Sequence, residues 1–327
     1  CEFMHAMGIP TTRALAVVTT GANVVRDRLI PGAIITRLSK SYVRVGTFQF
    51  FAARGNEQAL RELADYVIQR NYPEVTHAEN PYLALLEAVI ARQAKLIAQW
   101  MHIGFIHGVM NTDNMSISGE TIDYGPCAFM DTFIPEKVFS SIDQQGRYAY
   151  QNQPSIGHWD LCRFAETLIP LLGELIEAGG ELVQEAINSY PQLYKDAWLE
   201  GMSLKLGLAE SRPEDRDLSD DLLTCMASGK ADFTLTFRRL SSLSIAPTAA
   251  DQPFLELFSE PEIISQWLVH WRERLQAESR SEQERQAAML AVNPLYIARN
   301  HLVEAAIRAA EDEGDFQPFH DLVEILR

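Results

Sequence analysis

The chain has 327 residues, 47% of them apolar, and a formal net charge of −16 at pH 7. That supplies a large core, with room for two lobes at the usual domain size of ~100 to 200 residues. The acidic balance excludes a general binder of nucleic-acid backbones, which needs a basic face to displace counterions.

The longest apolar stretches, 83–101 and 165–176, are interrupted by Glu87, Arg92, Lys95, Glu166 and Glu174, so no membrane span is expected. Cys1, Cys127, Cys162 and Cys225 show no C-x-x-C spacing and make neither a zinc site nor a disulfide scaffold. The first residues have no charged n-region followed by an apolar h-region. A reducing, cytoplasmic compartment is the expectation.

In chain order, Met7-Gly-Ile-Pro10 ends a short helix, and β-branched runs at 14–19, 24–27 and 33–38 are separated by Gly21 and Pro31-Gly32. They predict a small antiparallel sheet. Arg37 and Arg44 are seven residues apart, a spacing that puts them on opposite faces of an unbroken strand. The polar Leu38-Ser-Lys-Ser41 between them predicts a turn or bulge that brings both guanidinium groups toward one cleft. Helical spacing follows over 58–69 and 82–103, with Pro81 in a first-turn position. Leu85, Val89, Leu96 and Trp100 form its core stripe. This helix leads into His107.

Residues 129–153 have little periodicity and read as a long segment beside which a substrate protein docks. Asp131 within it reads as a surface or capping carboxylate. The remainder is helical by period at 158–176, 181–190, 194–205, 217–228, 263–277, 282–290 and 295–313. His158 and Asp160 open the first of these. Trp267 and Trp271 share a face and read as core. The stretch 247–253 is the clearest linker, and the acidic cluster 311–315 reads as a solvated helix end.

The most informative stretch is His107 to Gly125, where Asp113, Asn114 and Asp123 fall within eleven residues. Carboxylates and carboxamides are the ligands a hard cation such as Mg2+ accepts, with waters and substrate phosphates in its other positions. Protein kinases use a catalytic loop ending in Asn, a short hairpin and then Asp-Phe-Gly. Here Asp123-Tyr124-Gly125 takes the place of Asp-Phe-Gly. The kinase base lies five residues before the Asn, a position occupied by Val109. Asp113 is the carboxylate of the loop that could replace it. The same residues on their own also suit ordinary surface turns.

The wording of this stretch, His-Gly-Val-Met-Asn-Thr-Asp-Asn-Met-Ser-Ile117 followed by Thr121-Ile-Asp-Tyr-Gly-Pro126, resembles the selenoprotein O family of kinase-like proteins. Met7-Gly-Ile-Pro-Thr-Thr-Arg-Ala-Leu15, Arg44-Val-Gly-Thr-Phe48, Gly146-Arg-Tyr148, Asn152-Gln-Pro154, Asn293-Pro294 and Arg299-Asn-His-Leu302 extend the resemblance over the whole chain. It implies an α+β, protein-kinase-like fold with a truncated small N-lobe at 1–75, containing β-strands, and a large, mainly helical C-lobe at 76–327. It also implies an ATP held in reversed orientation and transfer of AMP to Ser, Thr or Tyr hydroxyls of proteins. Carried over by position, Asp113 accepts the proton, Asn114 and Asp123 hold Mg2+ or Mn2+, and Arg37 and Arg44 contact phosphates. Arg suits that role better than Lys because its planar fork matches phosphate oxygens in pairs.

The chain departs from the kinase pattern in lacking a Gly-rich loop and a Val-Ala-Ile-Lys strand before the sheet, and it ends without the family's cysteine-bearing tail. The expectation is a fragment that binds ATP weakly and transfers little. Four other readings compete: phosphoryl transfer by the same site, UMP transfer by the same residues, a catalytically silent pseudokinase that recruits partners, and a metal hydrolase using Asp113, Asp123 and His107.

Overall fold

Helix α4 (Pro81–His102) is the axis of the fold, and its sequence explains both its start and its burial. The Asn80 side-chain oxygen accepts from the N–H groups of Tyr82 and Leu83 at 3.2 and 3.1 Å, and Pro81 occupies a position that needs no intrahelical donor. Leu85, Val89, Leu96 and Trp100 are all buried, as their spacing predicts. Each such side chain stabilises the fold by about 1.5 to 3 kcal/mol on burial.

The computed structural model describes residues 1–26 and 28–327, and side chains everywhere among these except 173–179. The molecule is mixed α and β, mainly helical, with two small antiparallel sheets of two strands each. After α1 (Glu2–Ala6), β1 (Arg13–Val25) and β2 (Leu29–Leu38) form a hairpin in which Ala14 faces Arg37 and Val18 faces Ile34. The runs predicted at 14–19 and 24–27 are one strand, except that residue 27 lies outside the described residues. Gly21, at φ +72°, marks a register shift between Thr19 and Asn23 and not a break. Most of the hairpin's apolar side chains are exposed, Leu15, Val17, Val25, Leu29 and Ile34 among them.

The predicted turn after Leu38 is present: Ser39 Oγ lies within hydrogen-bond distance of both Ser41 O, at 2.7 Å, and Glu120 Oε2, at 2.8 Å, and Lys40 N donates to Glu120. The chain then enters α2 (Val45–Ala52), which packs on α5 (Gln153–Leu168), and α3 (Glu57–Asn71), which packs on α4. Strands β3 (Phe105–Ile106) and β4 (Ala128–Phe129) pair antiparallel and close the base of the 107–125 loop.

Beyond the loop the helices differ from expectation: those at Phe233–Leu240 and Gln317–Ile325 were not predicted, and the one predicted at 158–176 ends at Leu168. Helix α5 begins at Gln153, so His158 and Asp160 lie within it and do not open it; Asp160 is only 1% exposed. The helices predicted at 181–190 and 194–205 are one, α6 (Ile176–Leu206), running through Pro191. Tyr190 is buried, stacked on His158 at 5.2 Å and donating to Pro154 O at 3.0 Å, and Trp198 and Met202 are buried further along. Packing on both sides of Pro191 overrides its local cost. The helix predicted at 295–313 is regular only over Asn300–Arg308 and then widens into a π turn at Ala309–Glu313.

A second core joins the helices of the chain's latter part, α7 (Asp215–Ser228), α8 (Phe233–Leu240), α9 (Gln252–Leu255), α10 (Pro261–Leu275) and α11 (Glu282–Val292). Trp267 and Trp271 are stacked at 6.1 Å in this core, as expected, and their indole N–H groups donate to Leu218 O and Leu206 O. The stretch 247–253 is not a loose linker. Asp251 within it forms a buried ion pair with Arg272 at 2.8 Å. The described cysteines are all free thiols, and no described helix is long and apolar enough to cross a membrane.

Candidate nucleotide and metal site

The loop from His107 to Gly125 is held from beneath by Gln153, together with Gln93 Nε2 donating to Ser116 O at 2.6 Å and the Trp100 indole N–H donating to Thr121 Oγ1 at 2.9 Å. Gln153 is fully buried; its Oε1 accepts from His107 N at 2.9 Å and its Nε2 donates to Phe105 O at 2.9 Å. The His107 ring crosses the loop, with Nε2 2.8 Å from Ile122 O, and burial lowers its pKa. A neutral imidazole donating from Nε2 accounts for this geometry. His107 is 1% exposed, which suits a structural strut and not the metal hydrolase reading. We expect Gln153→Leu to leave two buried backbone groups unpaired and to cost about 2 to 5 kcal/mol, measured by urea unfolding.

Above this strut the loop folds on itself. Asn111 Oδ1 accepts from Asp113 N at 3.0 Å and Asn114 N donates to Asn111 O at 2.8 Å, the local turn chemistry of Asn. Asn114 Nδ2 donates to Val109 O at 2.9 Å, which fixes the carboxamide and leaves its oxygen as an available hard donor. Asp123 has φ +56°, one of two non-glycine residues with positive φ among those described. Such a conformation costs an Asp on the order of 1 kcal/mol and persists where its surroundings determine it. They do so here. Thr121 N donates to Pro10 O at 2.8 Å, Thr12 N to Thr121 O at 3.1 Å and Gly125 N to Asp123 O at 2.8 Å, and Tyr124 Oη bonds Thr11 Oγ1.

Helix α2 brings Arg44 to the same place. Val45 N donates to Met115 O at 3.0 Å and Gly46 N to Thr112 O at 2.9 Å, while Arg44 bridges Ser116. A Cβ on Gly46 would lie 2.0 Å from Asp113 Oδ1. The exposed Asp113 carboxylate therefore rests on the first turn of α2, in space that only glycine leaves open. Arg37 is exposed near the end of β2, and among the described residues no hydrogen bond or ion pair ties its side chain to the loop.

Asp131 is a surface carboxylate, as read, and it shares Arg299 with Asp232, whose oxygen is 2.7 Å from Arg299 Nη1. A second carboxylate resolves differently from the sequence reading. Asp160 shares a small cavity with Asn114, Gln93 and Glu120, and neither of its oxygens has a hydrogen-bond partner. Burial pushes its pKa up to about 8, against the attraction of Arg147. Between about pH 4, where the unfolded carboxyl releases its proton, and pH 8 the native state keeps a proton the unfolded chain has lost, so stability falls as pH rises. Asp160→Asn removes this dependence. Urea unfolding should find the variant more stable than the parent at pH 8, by on the order of a few kcal/mol, with a much smaller difference at pH 5.

Among the described residues no group of three or more His, Cys, Asp or Glu side chains could hold a metal. Mg2+ itself needs only one or two carboxylates and fills its shell with water and phosphate oxygens.

A family model described as "Protein adenylyltransferase SelO" matches residues 1–327. The chain belongs to this family. It is 56% identical over 324 residues to a protein nucleotidyltransferase YdiU of Rhizobium meliloti (strain 1021) and 58% identical over 325 residues to one of Rhodopseudomonas palustris (strain BisB5). Each match covers 99% of this chain and 66% of the relative, so the chain spans about two thirds of the length of these SelO-family proteins. The family match takes in the whole chain and does not itself support the expectation that family parts are missing.

Sequence reasoning singled out Asp113, Asn114 and Asp123 but not the residues that hold them. Gly46 and Gln153 both lay within stretches that carried the family resemblance. A glycine in a helix's first turn, where alanine would be favoured by about 1 kcal/mol, was the available signal for a close approach.

Proposed function

We propose that this SelO-family chain has a protein-kinase-like arrangement and transfers AMP from ATP to Ser, Thr or Tyr hydroxyls of proteins, with Mg2+ or Mn2+. The observation that carries this reading is the seating of the Asp113 carboxylate against the start of α2, beside Arg44 and one residue from Asn114. Asp113 takes the proton of the incoming hydroxyl as its oxygen bonds to the α-phosphorus. The bond from that phosphorus to the β-phosphate oxygen breaks, and pyrophosphate leaves. Arg44 and Arg37 hold the distal phosphates through paired hydrogen bonds. Asn114 and Asp123 hold the cation, which when bound neutralises charge on the phosphate oxygens.

ATP labelled at the α-phosphate distinguishes this reaction from phosphoryl transfer. The test uses this chain and, in parallel, the longer Rhodopseudomonas palustris relative with matching substitutions. Label on protein from α-labelled ATP, absent with γ-labelled ATP and lost in Asp113→Asn, is the expected result. Label from the γ-position alone means a kinase. No label from either, in both proteins, leaves the partner-recruiting pseudokinase.

A further inference from the structure

Two adjoining clefts flank α4, and none of Arg37, Arg44, Asp113, Asn114 or Asp123 lines either of them. The larger, of about 670 Å³, is lined by Lys40, Arg70, Asn71, Arg92, Lys95 and Gln99 with the Ser118-Gly119 turn, and no carboxylate lines it. In a chain with 44 Asp and Glu against 28 Lys and Arg, this is a local inversion of charge. Arg92 is committed, paired with Glu74 at 3.1 Å and lying 3.8 Å over the Tyr72 ring. Lys40, Arg70 and Lys95 form no ion pair among the described residues.

The smaller cleft, of about 280 Å³, shares Lys95 and Gln99 with the first and is otherwise mostly apolar, with Met7, Ile9, Leu204 and Val292 in its wall and Glu200 as its one acid. Lys205 at its edge is 3% exposed and has no carboxylate partner, its ammonium donating to Asn293 Oδ1 at 2.7 Å over the Phe237 ring. Unpaired cations around an acid-free opening attract an anion that can accept from several donors at once. An apolar annex beside them suits a ring attached to that anion.

We propose that the two clefts form a second ligand site, separate from the metal loop, for the phosphate chain of a small polyanion. Inorganic polyphosphate and a nucleotide share that chemistry. They differ in the apolar annex, which only a nucleotide base would fill.

Calorimetric titration of the full chain with inorganic tripolyphosphate, with EDTA present to remove divalent metal, tests the proposal. Arg70→Glu with Lys95→Glu, both at exposed positions, should weaken binding about tenfold or more. Arg37→Ala with Arg44→Ala, and the distant charge reversal Arg54→Glu with Arg280→Glu, should leave it within about twofold. Absence of binding, or equal weakening by either control pair, overturns the proposal. In the Arg37→Ala, Arg44→Ala background, ATP binding tighter than tripolyphosphate and lost in Ala291→Trp, which fills the annex, identifies a nucleotide. Equal affinities indifferent to Ala291→Trp identify the inorganic chain.

Discussion

Asp123→Ala is expected to lower AMP transfer about a thousandfold or more, equivalent to about 4 kcal/mol of transition-state stabilisation. The residue supplies the one carboxylate of the proposed cation pair, and the remaining carboxamide carries no charge to offset that of the ion. Asp123→Asn separates chemistry from folding. Asn tolerates the left-handed conformation at φ +56°, so its melting temperature should match the parent's while Mn2+ affinity and transfer both fall. Transfer by Asp123→Asn at the parental rate would remove this residue from the site.

Gly46→Ala gives the second large effect and a sharper diagnosis. A methyl group there would sit 2.0 Å from Asp113 Oδ1 and 3.5 Å from Asp113 Cα, so the exposed carboxylate must swing aside. Displacing a reacting group by about 1 Å costs on the order of a hundredfold in rate. The fold has no reason to suffer, because alanine is favoured over glycine in a helix by about 1 kcal/mol. The expected outcome is a kcat reduced about a hundredfold with KM for ATP little changed and unfolding stability equal or higher. Loss of stability with kcat preserved would show that Gly46 serves packing alone.

The elements that were legible in the sequence are those whose pattern is local. The α4 stripe, the turn after Leu38 and the paired tryptophans of α10 follow from spacing and side-chain chemistry, and all are present. Asp113, Asn114 and Asp123 were singled out by their hard-ligand chemistry and by the family wording around them, although the same residue types also suit surface turns. What was not legible depends on partners remote in sequence. Gln153 meets the loop across 46 residues, and Gly46 is explained only by a carboxylate far along the chain. Asp160 looked like a helix-opening carboxylate, yet tertiary packing buries it beside Asn114. Pro191 reads locally as a break, and only the buried Tyr190 and Trp198 on either side explain why α6 continues.

Side chains at Arg37 and Arg44 follow different routes toward the proposed phosphates. Arg44 is placed by backbone bonds between α2 and the loop, whereas Arg37 projects from a hairpin whose apolar side chains are largely exposed. In the proposed reaction, phosphate contact by Arg44 would draw on a fixed scaffold, and contact by Arg37 on the ligand itself.

The most direct test of the account is a crystal structure with Mn2+ and a non-hydrolysable ATP analogue, using the anomalous signal of manganese to locate the cation. The account predicts Mn2+ bound between the Asn114 oxygen and the Asp123 carboxylate, with the α-phosphate beside Asp113. A cation held elsewhere, or the γ-phosphate in that place, would contradict it.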